Sequence, residues 1–138
     1  VGALGVMQLM PPTGQQMNVG DIHQIEPNIH AGVKYLRHVE ETYFDEPSLD
    51  PLVKGLFAFA SYNAGPNRIQ TLRKETAKRG LDPNRWFKNV EYVVGEKIGQ
   101  ETVTYVSNIF KYYVAYQLVA QAQEERARAI QQMESGKR

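Results

Sequence analysis

Ser61-Tyr62-Asn63-Ala64-Gly65-Pro66 sets a phenol beside a primary amide where an apolar helical run stops. The stretch is far more specific than the composition around it and reads as a site rather than as packing, since a phenol and an amide can each donate and accept hydrogen bonds. The same residues also fit a plain structural role, with Asn63 as a left-handed helix cap and Tyr62 completing the core with its hydroxyl in water. A second constellation, Gly2, Gly5, Met7 and Gln8, combines small residues that let backbone approach a ligand with an adaptable thioether and a two-way hydrogen-bonding amide. It equally describes a turn entering a helix, with Leu9 and Met10 in the core.

Other chemistry is poorly supplied. His23, His30 and His38 do not make a metal motif, because the last two are eight residues apart on one expected helix, too far for shared coordination. With no cysteine, disulfides and thiolate metal sites are excluded and the redox compartment stays open. Sixteen basic and 15 acidic side chains give a formal net charge of +1, which provides no general attraction to nucleic acid or to an anionic membrane. Charge clusters such as Arg73-Lys74-Glu75 and Glu124-Glu125-Arg126 read as solvated helix faces. No apolar run approaches the ~20 residues that span a bilayer.

The elements that position these residues read as helices throughout, because no segment alternates apolar and polar residues between hairpin turns. A chain of 138 residues suits one domain. Thr13 is expected to cap a short turn through Met17, followed by an irregular connection from Gly20 to Pro27. From Pro27, Ile29, Val33, Leu36, Val39 and Tyr43 form one apolar face, with Lys34, Arg37, His38 and Glu41 turned away. Asp50-Pro51 and Asp82-Pro83 each place a capping carboxylate before a proline and mark two helix starts. The run from Pro51 to about Tyr62 ends at Asn-Ala-Gly-Pro, which delivers Tyr62 and Asn63 to a loop. Pro66 opens a helix with Ile69 and Leu72 inward and a stop at Gly80, and Trp86, Phe87 and Val90 anchor the next helical turn.

The last segment runs from about Gln100 into the 130s. Val103, Val106, Phe110, Val114 and Leu118 bury its first half, while the polar remainder is expected to fray or project. Tyr112, Tyr113 and Tyr116 read either as a stacking strip or as core and rim. The division is thus residues 1–120 as the functional domain and 121–138 as a polar helical tail.

Three segments, Gly2-Ala3-Leu4-Gly5-Val6-Met7-Gln8-Leu9-Met10-Pro11, Ser61 to Pro66 and Glu101-Thr102-Val103-Thr104-Tyr105-Val106, occur in the order in which the lytic murein transglycosylases carry theirs. The chain resembles the catalytic domain of that family, relatives of goose-type lysozyme, and in particular the C-terminal domain of its membrane-bound members. The resemblance implies an all-α, lysozyme-like fold and cleavage of the β-1,4 bond between N-acetylmuramic acid and N-acetylglucosamine, with a 1,6-anhydromuramic product and no cofactor. It implies a single catalytic glutamate, which protonates the glycosidic oxygen and then, as carboxylate, takes the proton of the sugar's C6 hydroxyl. That glutamate belongs to a Glu-Ser helix preceding Val1, so its position in this numbering is unknown and the chain alone is expected to be inactive.

By matching position, Met7, Gln8, Tyr62, Asn63 and Tyr105 become the substrate-binding residues, with Glu101 structural at the positive helix end. Glu40, Glu41, Glu75 and Glu91 look solvated and unsuited to replace the acid. The expected partner is the peptidoglycan glycan strand, in the periplasm or cell envelope, with any membrane attachment through an upstream anchor. Loss of the preceding helix would leave a patch near Leu4, Val6 and Leu9 for self-association. A catalytically silent glycan-binding or assembly fragment and a lysozyme-like hydrolase are the alternatives.

Overall fold

The computed structural model describes residues 11–137 other than 19 and 22. Among them are six α-helices and no strand: α1 (Pro11–Met17), α2 (Ile25–Tyr43), α3 (Pro51–Ala64), α4 (Pro66–Lys78), α5 (Glu91–Ile98) and α6 (Gln100–Gly136). The all-α expectation holds.

The central element is α3, which buries Leu56, Phe57, Ala58, Ala60 and Ser61 and packs against α2, α4 and α6. A helix apolar on most sides needs such enclosure. Its start follows the sequence: the Asp50 carboxylate accepts from the Leu52 N–H at 2.9 Å, and Pro51 stands in the first turn. Its end is Gly65, at φ +94°, whose N–H donates to the Ser61 carbonyl at 2.7 Å. Pro66 then opens α4 at once, so one glycine turns the chain from helix to helix. Ile69 and Leu72 point inward as expected. After Lys78 the Gly80 N–H donates to Ala77 and the Leu81 N–H to Thr76, at 3.0 and 3.2 Å, which satisfies the last carbonyls.

The core is threaded by aromatic rings. Phe44 lies 5.5 Å from Phe57, and Phe57 lies 6.4 Å from Trp86, between centroids. Full burial of a side chain such as Phe57 contributes about 3 kcal/mol. The Arg73 guanidinium lies 4.8 Å from the Phe57 centroid and uses all five N–H groups. Nε donates to Pro83 O, Nη1 to Glu46 Oε1 and Gln70 Oε1, and Nη2 to Glu46 Oε2 and Asn84 Oδ1, at 2.8–3.0 Å. This ties the α2–α3 loop and the 82–85 turn to α4. Hydrogen bonds from Arg73 hold the Glu46 carboxyl below its ordinary pKa, against the opposing effect of burial.

Several boundaries differ from the sequence reading. Helix α1 begins at Pro11, so Thr13 lies inside it. Helix α2 begins at Ile25, with Pro27 in its first turn, where a missing N–H costs nothing. Its inward line is Asn28, Ala31, Tyr35 and Val39, and Val33 is 51% exposed. Leu36 and Tyr43 do pack against the core, while the side chain of Ile29 lies outside the described residues.

Asp82-Pro83 starts no helix. Asp82 Oδ1 instead accepts from the Asn84 N–H at 2.9 Å, and Arg73 occupies the Pro83 carbonyl that a helix would need. The next helix, α5, starts only at Glu91, whose carboxylate accepts from the Lys88 N–H at 2.9 Å. Trp86 and Val90 are buried on the intervening kink, but Phe87 is partly exposed and meets Phe110 edge-on at 4.9 Å.

Helix α6 extends as expected and stays helical to Gly136, without a break at residue 120. Its burial stops at Phe110: Val114 and Leu118 are exposed, as are Tyr112, Tyr113 and Tyr116.

Candidate active site

Tyr62 and Asn63 occupy the last turn of α3, not a loop. Asn63 is therefore no left-handed cap, since Gly65 takes the positive φ two residues later. Tyr62 meets Tyr35 of α2 edge to face, with centroids 5.7 Å apart and planes at 67°. Tyr105, in the second turn of α6, joins the group through its effect on the Tyr62 phenol, whose ionisation it opposes. All three are half-buried.

Burial pushes the Tyr62 phenol well above the ordinary tyrosine range, and Tyr105 and Tyr35 push it further. Tyr105 is raised by burial, and Tyr35 by burial and then by Tyr43. The three rings thus form an uncharged wall whose hydroxyls keep their protons at neutral pH.

Asn63 is exposed beside this wall, and its Oδ1 accepts a 2.6 Å hydrogen bond from Thr102 Oγ1 in the first turn of α6. Gly99, at φ +97°, makes the corner from α5 that lets α6 begin there. Three helices therefore supply one site: α2 gives Tyr35, α3 gives Tyr62 and Asn63, and α6 gives Thr102 and Tyr105. The arrangement offers polar, uncharged hydrogen-bonding groups over an aromatic floor, which suits a neutral, hydroxyl- and amide-bearing ligand.

Of the residues singled out from sequence, Tyr62, Asn63 and Tyr105 come together, whereas Met7 and Gln8 lie outside the described residues, as do Leu4, Val6 and Leu9. The stretch carrying Met7 and Gln8 leads into α1, whose last carbonyl, Met17 O, accepts from Lys34 Nζ at 2.9 Å. That bond fixes the end of α1 against α2, the helix that carries Tyr35. Tyr35 and Thr102 were not singled out. Thr102 stands three residues before Tyr105, hence on the same face of α6, and that spacing was a usable signal. Tyr35 follows Ala31 and precedes Val39 by four, a line masked by the more apolar Val33.

Glu101 is exposed in the first turn of α6, in keeping with a helix-end role. Glu40 differs from the solvated expectation. It lines a groove with Val33, Leu36, Arg37, Gly55, Ala58 and Phe59, where burial raises its carboxyl pKa against the lowering effects of Lys54 and Arg37. Gly55 lies seven residues before Tyr62, about 10 Å along α3 at ~1.5 Å per residue, so this carboxyl belongs to another part of the surface. The three histidines are exposed, and among the described residues no group of acids and histidines could hold a metal ion. Also among those residues, no helix is long and apolar enough to cross a membrane.

The helical fold with an aromatic, amide-bearing cluster defines an all-α class of domain, and comparison with known proteins makes the class specific. Residues 1–84 match the transglycosylase SLT domain family. The chain is 36% identical over 125 residues to a membrane-bound lytic murein transglycosylase F of Desulfosudis oleivorans, covering 81% of this chain and 27% of that protein. It is 33% identical over 127 residues to the protein of that name in Shewanella woodyi, covering 81% and 26%. Its identity to the one in Pseudomonas fluorescens is 31% over 139 residues, covering 90% and 28%. The chain belongs to the transglycosylase SLT domain family, and it spans about a quarter of the length of these relatives.

Proposed function

We propose that this chain supplies the substrate-binding walls of a peptidoglycan lytic transglycosylase, which cleaves the β-1,4 bond between N-acetylmuramic acid and N-acetylglucosamine and leaves a 1,6-anhydromuramic end. The observation that carries this reading is the convergence of Tyr62, Asn63 and Tyr105 from two helices far apart in sequence, within a chain of this family. The acid is a glutamate of the segment preceding Val1, and the phenol wall suits it. A carboxyl brought against half-buried, uncharged rings is desolvated, its pKa rises, and it holds the proton that the glycosidic oxygen needs near neutral pH. Met7 and Gln8 are the further substrate-binding residues of this reading, on their match to the family's amino-terminal segment. The enzyme acts on glycan strands in the cell envelope, with membrane attachment through a segment outside this chain.

The test is product analysis. Peptidoglycan digested by the parent protein should release muropeptides with anhydro ends, one water lighter than hydrolysis products. Hydrated reducing ends alone would make it a lysozyme-like hydrolase.

A second reading has one observation behind it: of the acids weighed from the sequence, Glu101 is exposed at a helix end and Glu40 lines a separate groove. On that reading the 138-residue chain alone binds glycan without cutting it. Calorimetry with soluble muropeptides should then show heat without new reducing or anhydro ends, and absence of heat would reject it.

A further inference from the structure

The threonines of this fold do not treat their hydroxyls alike. Thr71 and Thr76, both in α4, donate back along their own helix, to Asn67 O at 3.0 Å and Leu72 O at 2.7 Å. Thr102 instead reaches across to another helix and donates to Asn63 Oδ1 at 2.6 Å, although it is only 5% exposed and its partner lies 39 residues away. A hydroxyl has one proton to give, and a buried one left without an acceptor costs about 1–3 kcal/mol. Thr102 therefore holds the Asn63 amide with its oxygen inward.

The consequence lies at the other end of the amide. With Oδ1 engaged and Asn63 itself exposed, the group it leaves open to a ligand is Nδ2, which has no hydrogen-bond partner among the described residues. An unrestrained amide presents either a donor or an acceptor by turning about its last side-chain bond; this one presents a donor. We propose that Thr102 is a positioning residue that locks Asn63 as a hydrogen-bond donor for a carbonyl oxygen, and that the carbonyl is that of an acetamido sugar. The inference rests on the glycan-cleft reading above and deepens it, because it assigns the group by which N-acetylated sugars are told from their deacetylated forms.

The experiment compares the binding of two probes, a β-1,4 oligomer of N-acetylglucosamine and the matching glucosamine oligomer, to the parent protein and its variants. The wild type should prefer the acetylated oligomer. Thr102→Val should lose about tenfold in that preference, the worth of one hydrogen bond of ~1.4 kcal/mol, while Thr102→Ser, which keeps the donor, should restore it. Asn63→Asp keeps an oxygen for Thr102 but turns an acceptor outward, and should lose at least as much. Thr102→Val combined with Asn63→Ala should lose no more than Asn63→Ala alone, because Thr102 acts through Asn63.

A Thr102→Val protein with undiminished preference, or additive losses in the double variant, would overturn the positioning role while leaving the glycan-cleft reading intact. A wild type that binds neither oligomer, or does not discriminate between them, would overturn both.

Discussion

Two sets of tyrosines, equal in number, behave in opposite ways. Tyr35, Tyr62 and Tyr105 come from three different helices and are half-buried, with Tyr35 and Tyr62 edge to face and Tyr105 raising the Tyr62 pKa. Tyr112, Tyr113 and Tyr116 follow one another along α6 and are exposed by 74%, 46% and 71%. Composition does not separate the sets. What separates them is convergence: rings delivered from different elements are partly shielded from water, whereas Tyr112, Tyr113 and Tyr116 lie on a length of one helix beyond its packed part. Tyr105 and Tyr112 share α6, so the boundary between site and surface falls inside one helix, near Phe110, where packing against α3 ends.

The largest expected effect comes from breaking the convergent set. Tyr62→Ala in the parent protein should reduce anhydro-muropeptide release by roughly 10²-fold, the order seen when a positioned hydrogen-bonding group is removed from an active site. A loss below threefold would place Tyr62 in the core and not in the cleft.

Next comes the corner that presents Tyr62 and Asn63. Nothing lies within 4 Å of a Cβ built on Gly65, so the cost of Gly65→Ala is conformational alone, set by φ +94° and ψ 137°. It should destabilise the domain by about 2 kcal/mol, read as a fall in Tm of roughly 5–10 °C. An unchanged Tm would mean that the corner relaxes freely and does not hold the site.

Alkaline pH gives a smaller effect. The folded Tyr62 and Tyr105 phenols have pKa values raised above the ordinary 10.0, so the folded state keeps their protons where the unfolded chain has lost them. Stability is then fully present below pH 10 and falls as pH rises beyond it. Urea titrations at increasing pH should show this decline, and Tyr62→Phe should make it shallower; an identical decline would locate the pH dependence elsewhere.

The smallest effect belongs to the exposed set. Tyr116→Ala should shift stability by no more than about 0.5 kcal/mol and leave muropeptide release unchanged. A clear loss of activity would erase the distinction between the two sets.

How much of this was legible follows the range of the forces involved. Asp50-Pro51, Gly65-Pro66 and Gly80 act within one turn, and each did what its type dictates. Asp82-Pro83 carries the same local signal but was overridden by Arg73, nine residues upstream of Asp82, which draws Pro83 and Asn84 into its own hydrogen bonds. The inward face of α2 and the end of burial on α6 depend on where α3 lies, which no local pattern encodes. Within the site, Tyr62, Asn63 and Tyr105 were legible because they sit in distinctive segments. Tyr35 and Thr102 were not, since a tyrosine in an amphipathic helix and a threonine in a first turn look ordinary until the helices are brought together.

The most direct test of the central claim is an NMR titration of the isotope-labelled 138-residue chain with soluble muropeptides. The convergent account predicts that signals of Tyr35, Tyr62, Asn63, Thr102 and Tyr105 shift together with one saturation curve, while Tyr112 and Tyr116 stay in place. Shifts confined to Tyr112, Tyr113 and Tyr116 would contradict it and move glycan recognition to the exposed length of α6.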